Sequence, residues 1–130
     1  MRAVTIAVDG NSVLSRLVKC DKDRDIAVLD TPVRDKRFAM FNENNSGERL
    51  GENVLALGFP FYGVLTSSIN LITGNISSLP GVQDDDNAYQ ITAPIQAGNS
   101  GGPVINQRGR VASVAQSELM GKRLLGVHQW

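Results

Sequence analysis

Several common structural devices are missing from this sequence of 130 residues. Cys20 is the only cysteine, so no internal disulfide framework can stabilise the fold. Thirteen basic and thirteen acidic residues cancel to a net charge of zero. That balance argues against nucleic acid or an acidic membrane as the main partner, because such binding needs concentrated positive charge. No Cys/His set has metal-ligand spacing and no phosphate-binding glycine motif occurs, so we expect neither a metal nor a cofactor.

Long hydrophobic runs are also absent. The longest uncharged stretch, Asn53–Gln83, contains Pro60 and Pro80 together with many Ser, Thr and Asn residues. A membrane-spanning helix needs about 20 predominantly apolar residues in succession, and this stretch never sustains them. Met1 and Arg2 are followed by an alternating segment and not by the continuous apolar core of a signal peptide. We therefore expect no membrane span. The single cysteine does not identify the compartment, because it fits a reducing compartment and a periplasm equally well.

No segment has a convincing helical period of 3.6 residues. Apolar residues instead recur at every second position, as in β-strands. In residues 4–8, valine and isoleucine alternate with threonine and alanine, and Asp9-Gly10 follows as a hairpin signal. Further short apolar segments are bounded by turn residues. These candidate strands are 13–18, 26–29 (expected to be buried), 54–58, 64–73, 88–93, 103–105, 110–114 and 123–127. In a chain the length of one domain, this pattern predicts an all-β antiparallel barrel or sandwich.

The most informative stretch is Gly98-Asn99-Ser100-Gly101-Gly102-Pro103. A serine flanked by glycines lies where the backbone can adopt conformations that other residues resist. Successive backbone N–H groups can converge there on a developing oxyanion, while the serine hydroxyl projects as a nucleophile. The alternative is an ordinary strand-connecting turn, because Gly, Asn and Ser are favoured in turns.

Several ordered motifs resemble the trypsin-like serine proteases, and most closely their HtrA (DegP-like) branch. The glycine-rich stretch and the segments that flank it, 90–98 and 103–111, resemble the nucleophile loop and its neighbouring strands. Gly51–Pro60 looks like the family's G-x-x-V-x-A-I-G-x-P strand, Thr73–Ser78 like its T-x-G-I-I-S-S strand, and Asp21–Leu29 like its D-x-x-x-D-L-A-V-L segment. The resemblance covers roughly residues 3–128.

The resemblance implies a fold, a trypsin-like double β-barrel in which the C-terminal barrel is complete, with six strands, and the N-terminal barrel is partial. Residues 1–51 would form the second half of the N-terminal barrel and the connection between the barrels. Residues 52–130 would form the C-terminal barrel that carries the nucleophile loop.

The resemblance also implies roles, residue by residue, in a serine endopeptidase that hydrolyses peptide bonds through an acyl-enzyme. Ser100 corresponds to the nucleophile, Asp25 to the acid that orients the histidine, and the amides of Gly98 and Ser100 to the oxyanion hole. An aspartate directly before a buried apolar strand can be held half-desolvated, where a charged hydrogen bond is strongest. Pro94 corresponds to the base of the substrate pocket, so we expect no preference for Lys or Arg. Thr92 replaces the family's usual aspartate nearby.

The third member of the triad departs from the family pattern. In the family the chain order is His, Asp, Ser, but none of the 24 residues before Asp25 is a histidine. The only histidine is His128, in the expected last strand, and we expect a structural or pocket-wall role for it. We expect Cys20, in a predicted strand, to be a small core residue.

Three explanations of this departure stay open. The chain is a fragment of a longer protease, or it completes its barrel with strands from another chain or by dimerisation, or it is a non-catalytic homologue that binds peptides or serves as a structural β-domain. We expect the chain to be a fragment of a longer protease, because Met1 stands at the edge of a strand. Its expected substrate is a peptide or an unfolded protein. If the protease is HtrA-like, we expect a periplasmic or extracytoplasmic location. A half barrel exposes a sheet edge, which favours association between copies. We expect the isolated chain not to hydrolyse peptides at a protease-like rate, because its serine lacks a base.

Overall fold

The fold is all-β in the computed structural model, which describes residues 2–34, 37–42, 48–58, 69–78, 90–95 and 99–116. The strands in these ranges are β1 (Ala3–Val8), β2 (Asn11–Asp21), β3 (Ile26–Asp30), β4 (Asn53–Gly58), β5 (Asn70–Ser78), β6 (Gln90–Ile91), β7 (Pro103–Ile105) and β8 (Val111–Val114). None of these ranges contains a helix long and apolar enough to cross a membrane. The chain divides into two compact units, Met1–Phe38 and Ala39–Trp130. The predicted boundary between two barrels at residues 51 and 52 stays a prediction.

The first unit contains a three-stranded antiparallel sheet in the order β1-β2-β3. Asp9 and Gly10 join β1 to β2, and their φ angles of 50° and 79° are the positive values that the favoured two-residue hairpin turn requires. The Asp-Gly hairpin predicted from the sequence is therefore confirmed. A bulge between Leu17 and Lys19 shifts the register of β2 against β3.

The first sheet buries little apolar surface, which corrects two predictions. The strand predicted at 26–29 exists, but Ala27 and Val28 are exposed instead of buried. Cys20 lies in β2 as predicted, yet its thiol is exposed and does not belong to a core. The reason is that a sheet buries a face only against a second layer, and the described residues of this unit supply a single sheet. Leu14 illustrates the result, since 66% of its surface is exposed.

The second unit contains a five-stranded antiparallel sheet in the order β6-β5-β4-β7-β8. Its core is built from alternate residues, because successive side chains of a strand point to opposite faces. On β4, Val54 and Ala56 are buried while Leu55 between them is exposed. The buried apolar cluster comprises Val54, Ala56, Ile76, Ile91, Ala93, Val104 and Ala115, with Ile72 and Ile95 packed against it.

Two of the predicted strands have different bounds in the second unit. β5 runs from Asn70 to Ser78 and so continues past the predicted end at residue 73, because its polar half is paired with both neighbours: Gly74 and Asn75 with β4, and Ile76 and Ser78 with β6. Within the described residues, β6 covers Gln90 and Ile91 and ends before the predicted end at residue 93. The predicted strand at 123–127, and the beginnings of these two predicted strands at 64–68 and 88–89, lie outside the described residues.

The segment before β4 is attached to the β7–β8 hairpin by a buried carboxylate. The side chain of Glu48 is only 3% exposed. It accepts hydrogen bonds of 2.8 Å from the amides of Asn42 and Asn106, and the guanidinium of Arg108 lies 3.4 Å away. The backbone adds two hydrogen bonds, from Asn42 N to Val111 O and from Val111 N to Met40 O. We refer to Glu48, Asn42, Asn106 and Arg108 as the Glu48 cluster.

Candidate active site

Ser100 stands at the corner of a tight turn in the second unit. The turn spans residues 99–102 and is closed by a hydrogen bond of 3.0 Å from Gly102 N to Asn99 O. Gly101 has a φ of 88°, the positive value that a type II turn requires at its third position and that glycine adopts without strain. The turn is attached to the chain after β8 through Gly101 N to Ala115 O (2.6 Å) and Ala115 N to Gly102 O (2.8 Å).

The turn directs Ser100 outward and Asn99 inward. Ser100 is exposed, whereas Asn99 is 0% exposed. Within the described part of the chain, neither the hydroxyl nor the backbone amide of Ser100 has a hydrogen-bond partner. Neither group is thus occupied by another described residue, which is what the predicted roles of nucleophile and oxyanion donor require.

Two glycines allow this turn to lie directly on the end of β4. A Cβ atom at Gly58 would collide with the side-chain oxygen of Asn99, and one at Gly102 would collide with the carbonyl oxygen of Leu57. Only glycine lets the backbones approach so closely. The close approach fixes the position of the turn and thereby of Ser100.

The segment before the turn alternates between core and surface. Ala93 is buried, and Ile95 packs against the core. Pro94 between them is exposed, and so is Thr92, whose hydroxyl accepts a hydrogen bond of 2.8 Å from Asn75 N. Pro94 thus lies on the surface of the unit that carries Ser100, and its role in a substrate pocket stays a prediction.

Asp25 ends the β2–β3 turn of the first unit, with a φ of 54°. One carboxylate oxygen of Asp21 accepts hydrogen bonds of 3.1 Å from the backbone amides of Asp23 and Arg24, and the other accepts one of 2.9 Å from the Arg24 guanidinium. The backbone N–H and then the guanidinium of Arg24 lower the pKa of Asp21 below its ordinary value. Asp25 itself is exposed, which corrects the expectation of a half-desolvated carboxylate, because β3 buries too little surface to shield it.

The predicted site residues are thus distributed over both units. Ser100 and Pro94 belong to the second unit and Asp25 to the first. Gly98 and His128 lie outside the described residues. Among the residues that are described, no group of three or more His, Cys, Asp or Glu side chains could hold a metal ion.

Sequence reasoning missed two contributors to this site, Asn99 as a buried residue and Gly58 as its neighbour. The buried amide of Asn99 has no hydrogen-bond partner at either Nδ2 or Oδ1 in the described structure. Two glycines could have indicated this contact: Gly58 at the end of a strand and Gly102 after the serine. Close backbone approach is a common reason for glycine in a strand.

The sequence profile of the family described as trypsin-like peptidase domain matches residues 2–114. That match covers most of the chain and includes the strands of both units and the turn at Ser100. The chain therefore belongs to the trypsin-like peptidase domain family.

Curated relatives place the chain near the HtrA branch of that family. A "Serine protease HtrA-like" of Staphylococcus aureus (strain USA300) is 33% identical over 125 aligned residues, which cover 85% of this chain and 16% of the relative. The "Uncharacterized protein y4bJ" of Sinorhizobium fredii is 37% identical over 105 residues, which cover 81% of this chain and 16% of that protein. The chain thus spans only 16% of the length of these relatives.

A solved structure supports the fold. The crystal structure of Rv3671c protease, inactive form, superposes with a TM-score of 0.73 at 22% sequence identity, covering 94% of this chain and 66% of that one. At this level of identity the similarity concerns the fold. It confirms the predicted trypsin-like, all-β architecture with a partial double barrel.

Proposed function

We propose that the chain carries the nucleophile and the orienting acid of an HtrA-type serine endopeptidase. Ser100 attacks the scissile carbonyl and forms an acyl-enzyme, Asp25 orients the imidazole that takes the serine proton, and the amides of Gly98 and Ser100 bind the oxyanion. The substrate is a peptide or an unfolded protein segment. Pro94 faces the side chain before the scissile bond, which is not a Lys or Arg.

The observation that supports this proposal best is the construction of the turn at residues 99–102. Ser100 is exposed, and neither its hydroxyl nor its amide has a hydrogen-bond partner among the described residues. Buried Asn99 and the close approach of Gly58 and Gly102 to their neighbours hold the turn in place. An ordinary surface turn needs no such buried foundation, whereas a nucleophile must be held in a fixed geometry.

We further propose that the nucleophile turn of the isolated chain is correctly formed but that its serine reacts very slowly. A serine hydroxyl is a weak nucleophile at neutral pH and needs a base. The sequence offers one histidine, His128, to which we assign a structural or pocket-wall role. Loss of one triad member removes most of the contribution of the others, leaving about 10³–10⁴-fold acceleration over water from binding and the oxyanion hole.

The test is covalent labelling with a fluorophosphonate probe, which reports activated serines. We expect the 130-residue chain to label slowly at pH 7–8 and a version that includes the coding sequence upstream of Met1 to label rapidly. Ser100→Ala should abolish labelling in the longer form, and Ser12→Ala, a change of an exposed serine in β2, should leave it unchanged. Rapid labelling of the short chain that is lost in Ser100→Ala would contradict the inactivity, and labelling of neither form would contradict the assignment of Ser100.

The alternative function is a non-catalytic homologue that binds peptides. The observation in its favour is the absence of any histidine before Asp25. Under this alternative, the upstream coding sequence would contain a stop codon directly before Met1, and the chain would bind unfolded polypeptide reversibly without ever reacting with the fluorophosphonate.

A further inference from the structure

Three of the four arginines in residues 2–34 line one groove of the first unit. The groove has a volume of about 430 Å³, within the range of about 300–1,000 Å³ that ligand sites occupy. Arg2 borders it at the start of β1, Arg16 lies in β2, and Arg34 follows β3. We refer to it as the arginine groove.

The charges in the arginine groove are unbalanced. Among the described residues that line it, Asp30 is the only acidic one, and its carboxylate forms an ion pair of 2.9 Å with Arg16. Arg34 donates to the backbone carbonyl of Thr31 at 3.0 Å, and neither Arg2 nor Arg34 has a carboxylate partner among the described residues. Two guanidinium groups are thus available to an anionic ligand, and guanidinium is the cation best suited to bind carboxylates.

The walls of the arginine groove are largely apolar. Leu14, which is 66% exposed, and Pro32 line it together with the aliphatic stems of the arginines. An inorganic oxyanion would leave these walls and most of the volume unused. A peptide that carries carboxylates beside aliphatic side chains would use both features.

We propose that the arginine groove binds an acidic, aliphatic-rich peptide segment. Arg2 and Arg34 bind its carboxylates, Leu14 and Pro32 contact its aliphatic side chains, and Asp30 limits its affinity by neutralising Arg16. The proposal concerns the first unit alone and does not depend on the chemistry of Ser100.

The test is fluorescence anisotropy of the full chain with a labelled, end-blocked peptide of three Leu-Glu repeats. We expect saturable binding that weakens as salt rises, because the charges are exposed to solvent. Arg2→Gln and Arg34→Gln should each weaken binding about tenfold, the loss expected for one charged hydrogen bond. Asp30→Asn should tighten binding several-fold, since it releases Arg16.

Matched variants and ligands separate this site from general electrostatic attraction. Arg24→Gln removes the fourth arginine, which lies outside the groove and pairs with Asp21, and should leave the affinity unchanged. Asp23→Asn is the corresponding control for Asp30→Asn. An equal loss in Arg24→Gln, equal binding of a Leu-Gln peptide, or complete displacement by inorganic phosphate at matched ionic strength would overturn the proposal. Circular dichroism of each variant verifies that it is folded.

Discussion

At the scale of single residues, the most unusual group is the amide of Asn99. Its Nδ2 and Oδ1 atoms are buried and have no hydrogen-bond partner among the described residues. Buried polar groups are nearly always paired, so an unpaired one calls for a specific explanation. Asn99 directly precedes the proposed nucleophile, so this unpaired amide lies in the turn whose geometry the proposed chemistry requires to be fixed.

Because Gly58 contacts Asn99, we expect Gly58→Ala to destabilise the fold, the opposite of the usual effect of Gly→Ala in a strand. In an unobstructed strand, Gly→Ala is stabilising, because glycine loses more backbone entropy on folding. In Gly58→Ala the new methyl group would collide with Asn99, whose Cα lies 2.8 Å from the ideal Cβ position. We therefore expect a loss of about 1–3 kcal/mol in the free energy of unfolding, typical of overpacking, measured by urea denaturation.

Hydrogen exchange shows whether this loss arises at the turn. The amides of Gly101 and Gly102 donate to Ala115 O and Asn99 O, and both should lose protection in Gly58→Ala. The double variant Gly58→Ala/Asn99→Ala removes the side-chain oxygen from the collision and should recover part of the stability. Wild-type stability of Gly58→Ala, or unchanged protection of both amides, would show that the turn does not rest on β4.

At the scale of elements, strands and turns were predicted well and burial was predicted poorly. Alternation in residues 4–8 and the Asp-Gly pair predicted the first hairpin, because both signals are local. Whether β3 is buried depends on a second layer, which no local pattern reveals. The predicted burial of Asp25 and Cys20 was wrong for that reason, since both predictions assumed a covered sheet; the predicted role of Asp25 in the triad stays a prediction.

Contacts between residues distant in the sequence lay beyond prediction altogether. Glu48 and Asn106 are 58 positions apart, and the sequence around neither residue predicts their hydrogen bond. The candidate nucleophile was predictable because its turn is encoded in six consecutive residues, 98–103. The buried foundation of that turn includes Gly58, which is far from it in the chain, and only the folded structure reveals the contact.

The Glu48 cluster should stabilise the second unit through its hydrogen bonds. Glu48→Ala leaves the amides of Asn42 and Asn106 without their acceptor in a buried place. We expect a loss of about 2–4 kcal/mol in the free energy of unfolding, below that of a fully buried ion pair because Arg108 is half exposed. Urea denaturation followed by circular dichroism measures it.

Two further variants test whether hydrogen bonding is the cause. Glu48→Gln keeps the shape and one acceptor oxygen, so its loss should be smaller than that of Glu48→Ala. Glu52→Ala changes an acid of the same connecting segment that has no side-chain partner among the described residues, and it should cost little. Equal losses in Glu48→Ala and Glu52→Ala would exclude the cluster as a stabilising element.

At the scale of the whole molecule, the two units differ in how they bury apolar surface. The buried apolar core belongs to the second unit, whereas the sheet of the first unit exposes Val4, Leu14, Val18 and Val28. Among the described residues, β1 and β3 each pair on one side only, and an unpaired strand edge is a template for pairing with another chain. We propose that copies of this chain associate through the edge of β1.

Sedimentation velocity over a concentration series tests this association. The wild-type chain should form dimers or larger species as its concentration rises. The double variant Thr5→Lys/Ala7→Lys places two charges on exposed positions of β1, and it should shift association to at least about tenfold higher concentration, since lysines on an edge strand oppose pairing. Gln107→Lys adds a charge at an exposed turn of the second unit and should leave association unchanged. A wild-type chain that stays monomeric at all concentrations, or a variant that associates as strongly as the wild type, would show that the edge of β1 is not the contact.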